Sequence, residues 1–98
     1  MQHSALPMTQ TEKDRLLDEW MRDFGDDIFR LCFIILQDRM LAEDAPQEVF
    51  IKAYKRADTL RQREYTKTWL VSIAVNTCRD IRRSAWLRHI DQRVALED

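Results

Sequence analysis

Residues Tyr65 to Arg83, YTKTWLVSIAVNTCRDIRR, decide the reading of this chain. Leu70, Ile73, Ala74, Thr77 and Ile81 recur at helical spacing and form one apolar face, with Trp69 and Cys78 at its margin. Ser72, Asn76, Arg79 and Arg83 recur at steps of four, three and four, so they share the opposite side, with Arg82 beside them. Thr66 or Thr68 is placed to cap the first turn, and arginines near the end suit the negative pole of the helix dipole. The apolar face requires a core. The cationic side suits phosphate or base, although a solvated basic face would account for it equally well.

Working outward, the chain has 98 residues, 45% hydrophobic and 34% charged, enough for one small domain with a single modest core. One Gly, two Pro and no run of alternating β-branched residues leave little from which to build a sheet, so the expected class is all-α. The longest apolar run, Leu31 to Leu36, is far too short to span a bilayer. No charged-then-apolar leader precedes a cleavage site, so a cytoplasmic protein without membrane insertion is expected. Cys32 and Cys78 each sit among apolar residues, which predicts two reduced core thiols, a single disulfide being the alternative.

The net charge of −1 conceals a segregation. Residues 1–51 hold five Lys or Arg and eleven Asp or Glu, whereas residues 52–96 hold eleven and four. One half suits a polyanion and the other a basic or mixed partner.

Residues 1–11 contain Pro7 and show no periodicity, so they read as a disordered leader. From there Leu16, Leu17, Trp20, Met21, Phe24, Ile28, Phe29, Leu31, Cys32, Ile35 and Leu36 are compatible with one broad apolar stripe, read as core rather than a cofactor box. Gly25, next to Asp26 and Asp27, predicts a break or kink. Gln37 to Met40 reads as a polar connection. Pro46 is tolerated only in a first turn, which puts the start of the next helix near Ala42 to Asp44, with Asp44 and Gln47 at capping-box spacing. Leu41, Ala45, Val49, Phe50, Ala53 and Tyr54 face inward. Asp58 to Tyr65 is a loop in which Arg61 and Arg63 stand beside Tyr65, a composition able to hold an unstacked base. Residues 85–98 keep some helical spacing through Trp86, Leu87, Ile90 and Val94.

Read together, AEDAPQEVFIKAY, a short polar loop and TWLVSIAVNTCRDIRR resemble the minus-ten domain (region 2) of bacterial sigma factors of the extracytoplasmic-function (ECF) group. DIFRLCFIILQD is similar to the helix that precedes the acidic motif in that family, and the resemblance covers about residues 13–84. It implies a compact domain of three to four helices over residues 12–84, followed by the start of an interdomain linker. It also implies a sigma factor domain that binds RNA polymerase and recognises and melts the promoter minus-ten element through its non-template strand. By position, Asp44, Gln47 and Glu48 match the residues that dock on the beta-prime clamp helices of the polymerase core, with Lys52 and Arg56 nearby. Arg61, Arg63 and Tyr65 fall in the base-capturing loop, Asn76 at the asparagine of the recognition helix, and Lys67, Arg79, Arg82 and Arg83 where DNA is contacted. An anti-sigma factor is the further partner that the resemblance implies.

The chain departs from the family pattern in several places. The usual aromatic ahead of the helix would fall at Thr66, and Tyr65 is shifted by one. Val71 and Ser72 replace a Tyr-Arg pair, and Pro46 replaces an aliphatic residue. The domain that reads the minus-thirty-five element has no counterpart, so the chain reads as an excised domain or an incomplete factor. No catalytic group, cofactor or metal site is expected, because two Cys and two His at these separations have no ligand spacing. The rival readings are a helical interaction module without DNA binding and a helix-turn-helix protein; the long cationic loop and the lack of a short Gly turn speak against the latter.

Overall fold

The computed structural model describes residues 8–97, with side chains to Ala95. Its helices are α1 (Gln10–Leu36), α2 (Arg39–Lys55) and α3 (Thr66–Glu97), with short 3-10 turns at Ala57–Thr59 and Arg63–Tyr65 between α2 and α3. The expected all-α class holds. Residues 10 and 11, expected in the leader, belong to α1, while residues 1–7 of that leader lie outside the described residues.

The start of α1 follows from a capping box. The Thr9 hydroxyl accepts from the Glu12 N–H at 3.2 Å, and the Glu12 carboxylate accepts from the Thr9 N–H at 2.8 Å. Those hydrogen bonds hold the exposed Glu12 carboxyl below its usual range. From there Leu16, Trp20, Ile28, Cys32 and Leu36, in register every fourth residue or multiple of it, are buried, with Phe24 half-buried in the same row. Four-residue spacing drifts slowly around a helix, so this row forms one continuous seam against α2 and α3.

The break expected at Gly25 does not occur, and α1 runs through it unbroken for 27 residues. The helical hydrogen bonds on either side outweigh one poor helix former. A Cβ added at Gly25 would meet nothing within 4 Å. Gly25→Ala is therefore expected to raise the unfolding free energy by about 1 kcal/mol in urea denaturation, because alanine loses less backbone entropy at an open helical position.

The connection from α1 to α2 is shorter than expected. Gln37 adopts the left-handed conformation at φ 50° and donates its N–H to the Phe33 carbonyl at 2.8 Å, closing α1. Asp38 then caps α2 by accepting from the Leu41 N–H at 3.0 Å. The start expected near Ala42 to Asp44 is thus corrected to Arg39, and Asp44 and Gln47 lie in the body of the helix, where their spacing caps nothing. Pro46 lies inside α2 rather than in its first turn. It removes one helical donor, and the helix persists because Ala42, Ala45, Val49, Phe50 and Ala53 are anchored in the core around it.

That buried face of α2 is mostly alanine. Ala42, Ala45 and Ala53 are fully buried, as is Ala57 in the turn that follows, and their small side chains let α2 lie close against the larger residues of its neighbours. On α3 the buried set is Leu70, Ile73, Ala74, Thr77 and Cys78, with Ile81 half-buried. Cys78 is fully buried rather than marginal. Past Ile81 the core ends, and α3 continues as an arm on which Trp86, Leu87 and Val94 are exposed, helping to stretch the molecule to 63 × 25 × 20 Å.

Cys32 and Cys78 are free and buried. Burial pushes the Cys32 thiol up to about 12 and raises Cys78 as well. Both are expected to resist a thiol-specific reagent in the native protein at pH 8 and to react in denaturant. Because the folded-state values lie above the unfolded ones, this contribution to stability is complete below the unfolded thiol range. It is lost as pH rises from about 8.5 towards the folded values, so alkaline unfolding should steepen there.

Candidate nucleic-acid interface

The loop between α2 and α3 turns twice. Thr59 donates its N–H to the Arg56 carbonyl at 2.8 Å, and Tyr65 donates to the Gln62 carbonyl at 3.1 Å. Thr66, expected as an accepting cap, instead donates its hydroxyl to the Arg63 carbonyl at 2.7 Å and is buried. Helix α3 begins at Thr66 itself, so the second turn feeds directly into it. Buried Thr66 is unable to stack on a base. Tyr65, 57% exposed, is the aromatic that the loop offers.

These turns leave a hollow of about 470 Å³ lined by Thr59, Leu60, Arg61, Gln62, Tyr65, Thr68, Trp69 and Ser72. Its aromatic walls are Tyr65 and Trp69, and its polar groups are those of Arg61, Gln62, Thr59, Thr68 and Ser72. Such a mixture suits a planar, hydrogen-bonding ligand. Trp69 is fixed from behind by Trp20, whose ring meets it edge to face with centroids 5.2 Å apart and planes at 60°. Sequence reasoning assigned Trp69 to the core margin and Thr68 to an alternative helix cap, and did not single out Gln62. The signal was present in the spacing, since Tyr65, Thr68 and Ser72 stand one turn apart and align with Asn76.

Ser72 lines the hollow and also begins the polar, cationic side of α3. Ser72, Asn76, Arg79, Arg82 and Arg83 are all exposed, and Ser72 to Arg83 spans about 16 Å of helix axis. None of Arg79, Arg82 and Arg83 is in an ion pair among the described residues. Lys67 differs: its ammonium lies 3.4 Å from the Asp27 carboxylate and ties α3 to α1. Arg61 and Arg63 are exposed on the loop, and both also edge a second hollow, of about 340 Å³, on the α1 side of the loop beside Trp20 and Phe24.

The acidic half forms a separate surface. Asp44, Gln47 and Glu48 are exposed on α2, and Arg56 is exposed at its end. Lys52 is half-buried and lies 3.9 Å from Asp80 of α3, so it bridges helices as well as edging this surface. Gln47 borders an apolar groove of about 660 Å³ between α1 and α2, walled by Leu17, Met21, Phe29, Pro46, Phe50, Ile51 and Tyr54. Met21, Phe29 and Ile51 are 51%, 44% and 53% exposed, so the broad stripe expected as core divides into a buried seam and this open groove. The chain therefore carries two faces, one cationic with an aromatic hollow and one acidic and apolar.

Among the described residues no helix is long and apolar enough to cross a membrane, and no group of His, Cys, Asp and Glu is placed to hold a metal ion. A family model described as sigma-70 region 2 matches residues 20–88. The chain is 37% identical over 73 residues to the ECF RNA polymerase sigma factor SigW of Bacillus subtilis, covering 74% of this chain and 39% of that protein. It is 32% identical over 84 residues to the RNA polymerase sigma-H factor of Pseudomonas aeruginosa, covering 86% and 44% respectively. Similarity to SigX of Bacillus subtilis, an ECF RNA polymerase sigma factor, is 35% over 51 residues, or 52% of this chain and 26% of that one. The chain thus spans less than half the length of these curated relatives. No solved structure matches it with significance.

Proposed function

The chain belongs to the sigma-70 region 2 family, and from that premise we propose that it docks on RNA polymerase through its acidic face and reads the promoter minus-ten element with its cationic one. The observation that carries this reading is the continuity of the hollow with the cationic side of α3. A base that leaves the duplex stack costs a few kcal/mol, offset by stacking on Tyr65 and Trp69 and hydrogen bonding to Arg61, Gln62 or Thr68. Arg63, Asn76, Arg79, Arg82 and Arg83 hold the adjoining non-template strand, and Lys67 contributes once it leaves Asp27. The action is binding rather than catalysis. It directs where polymerase opens the duplex.

On the acidic surface Asp44, Gln47 and Glu48 meet the beta-prime clamp helices, with Lys52 and Arg56 at the edge and the α1–α2 groove taking apolar side chains. A buried apolar patch with charged and polar residues around it is the usual anatomy of such an interface. An anti-sigma factor would act by covering this face or the cationic one, and the site of action is the cytoplasm, where polymerase and promoter are.

The test is binding of the chain to single-stranded minus-ten oligonucleotides, to their duplexes and to the isolated clamp helices at two salt concentrations. Sequence-dependent single-strand binding together with clamp binding is the expected result. Clamp binding alone would move promoter reading elsewhere in the initiation complex. Failure of both would favour a helical interaction module.

A further inference from the structure

We infer that Asp58 is a positioning residue that straps the base-capturing loop to the start of α1 and the residue that precedes its cap; the inference rests on the reading of that loop given above.

The polar contacts within the loop are local. Thr59, Leu60, Tyr65 and Thr66 all bond to carbonyls three residues earlier, which shapes each turn but does not locate either turn on the domain. Among the described residues, the long-range polar contacts of residues 57–65 both run through Asp58. One carboxylate oxygen accepts the Met8 N–H at 3.0 Å, and the other lies 3.9 Å from the Lys13 ammonium. The remaining anchors of the loop are apolar: Ala57 is buried and Leu60 half-buried against the core, and such contacts leave orientation freer than directional ones do.

The far end of the strap is itself held. The Thr9–Glu12 capping box orders the first turn of α1. The Tyr54 hydroxyl donates to Asp14 at 2.8 Å and accepts from the Gln10 amide at 3.0 Å, pinning that turn to α2. Lys13 also lies 5.9 Å from the centre of the Tyr54 ring. Asp58 therefore ties the loop to the start of α1, through Lys13 in the braced first turn and through Met8 immediately ahead of the Thr9 cap. Leu60 and Arg61, two and three residues later, wall the hollows on both sides of the loop, so the placement of Asp58 decides how Arg61 is shared between them. A pocket for an unstacked base gains affinity from being preformed, and the strap supplies that preorganisation.

The test compares Asp58→Ala, Asp58→Asn and Lys13→Met in the full chain. For each, affinity is measured for a single-stranded minus-ten oligonucleotide and for the same oligonucleotide with the captured base replaced by an abasic site. Clamp-helix affinity, thermal unfolding and amide hydrogen exchange of residues 59–66 are followed in parallel. In Asp58→Ala the preference for the intact strand should fall by about five-fold, as expected for one lost hydrogen bond, and exchange in the loop should quicken. Clamp affinity should change less than base preference does, since Asp58 contacts Met8 and Lys13 rather than Asp44, Gln47 or Glu48. Asp58→Asn, which keeps an acceptor for Met8 but loses the charge facing Lys13, should fall between wild type and alanine, near Lys13→Met. An unchanged base preference and unchanged loop exchange in Asp58→Ala would overturn the strap. If the wild-type chain itself ignored the abasic substitution, base capture by the hollow would fail as a reading. Loop exchange would then decide the strap alone: faster exchange in Asp58→Ala upholds it and unchanged exchange overturns it.

Discussion

Trp20→Ala is expected to lower the unfolding free energy by about 3–5 kcal/mol, the usual cost of truncating a buried aromatic residue. Trp20 is 3% exposed, is the largest side chain of the α1 seam and meets Trp69 edge to face. A domain of this size has roughly 5–15 kcal/mol in total, so the variant would sit near the threshold of folding. Its melting temperature should drop by roughly 12–40 °C, at about 4–8 °C per kcal/mol. Urea titration followed by far-UV circular dichroism checks this, and a loss under about 1 kcal/mol would mean that the seam repacks and Trp20 is not central. Trp20→Phe, which keeps a ring against Trp69, should lose less. It also gives a folded protein in which to ask a second question. Trp69 forms a wall of the hollow and Trp20 forms its support, so Trp20→Phe should weaken base-dependent binding while leaving clamp-helix binding unchanged.

The second large effect concerns charge. Replacing Arg79, Arg82 and Arg83 together by alanine removes three exposed cations from one stretch of α3, none of them in an ion pair among the described residues. Each single-strand phosphate contact contributes about 0.7 to the slope of log affinity against log salt, so the slope should become shallower by about 2. At 0.1 M salt each contact is worth about five-fold relative to 1 M, and three together about 100-fold. Thermal stability should hardly change, since surface positions away from caps and ion pairs are usually within about 0.5 kcal/mol of neutral. Affinity loss without a change in slope would show that the arginines act on a base or on protein rather than on phosphates. No loss at all would leave the cationic side as a solvated face.

The two variants also separate two ways of weakening the same interface. Trp20 acts through the shape of the hollow, and salt does not screen shape. The arginines act through charge, so their effect fades as salt rises. Measurements at two salt concentrations distinguish these contributions within one experiment.

Several features were legible in the order of residues alone. The period of α3 separates Leu70, Ile73, Ala74 and Thr77 from Ser72, Asn76, Arg79 and Arg83, and the structure buries the first set and exposes the second. The apolar content of α1 and the lack of turn formers specify an all-helical domain, and the charge segregation announces two unlike faces. These are properties of a single helix or of composition, and neither depends on how helices meet.

What the sequence misjudged or missed depends on competition between neighbouring signals or on convergence of distant ones. Pro46 pointed to a helix start, but Asp38 caps α2 seven residues before Ala45, and burial of four small or branched residues outweighs one lost donor. Gly25 pointed to a kink, yet the seam on both sides holds α1 continuous. The hollow joins Thr59, Arg61 and Gln62 of the loop to Trp69 and Ser72 of α3, and the groove joins Met21 and Phe29 to Ile51 across two helices. Asp58 reaches back 50 residues to Met8. Local periodicity thus determined which residues form each helix face, while tertiary packing alone decided which faces close into core, which remain open as sites, and how the loop between them is held. A face is set by the geometry of one helix, whereas a cavity or a strap exists only where separate elements approach.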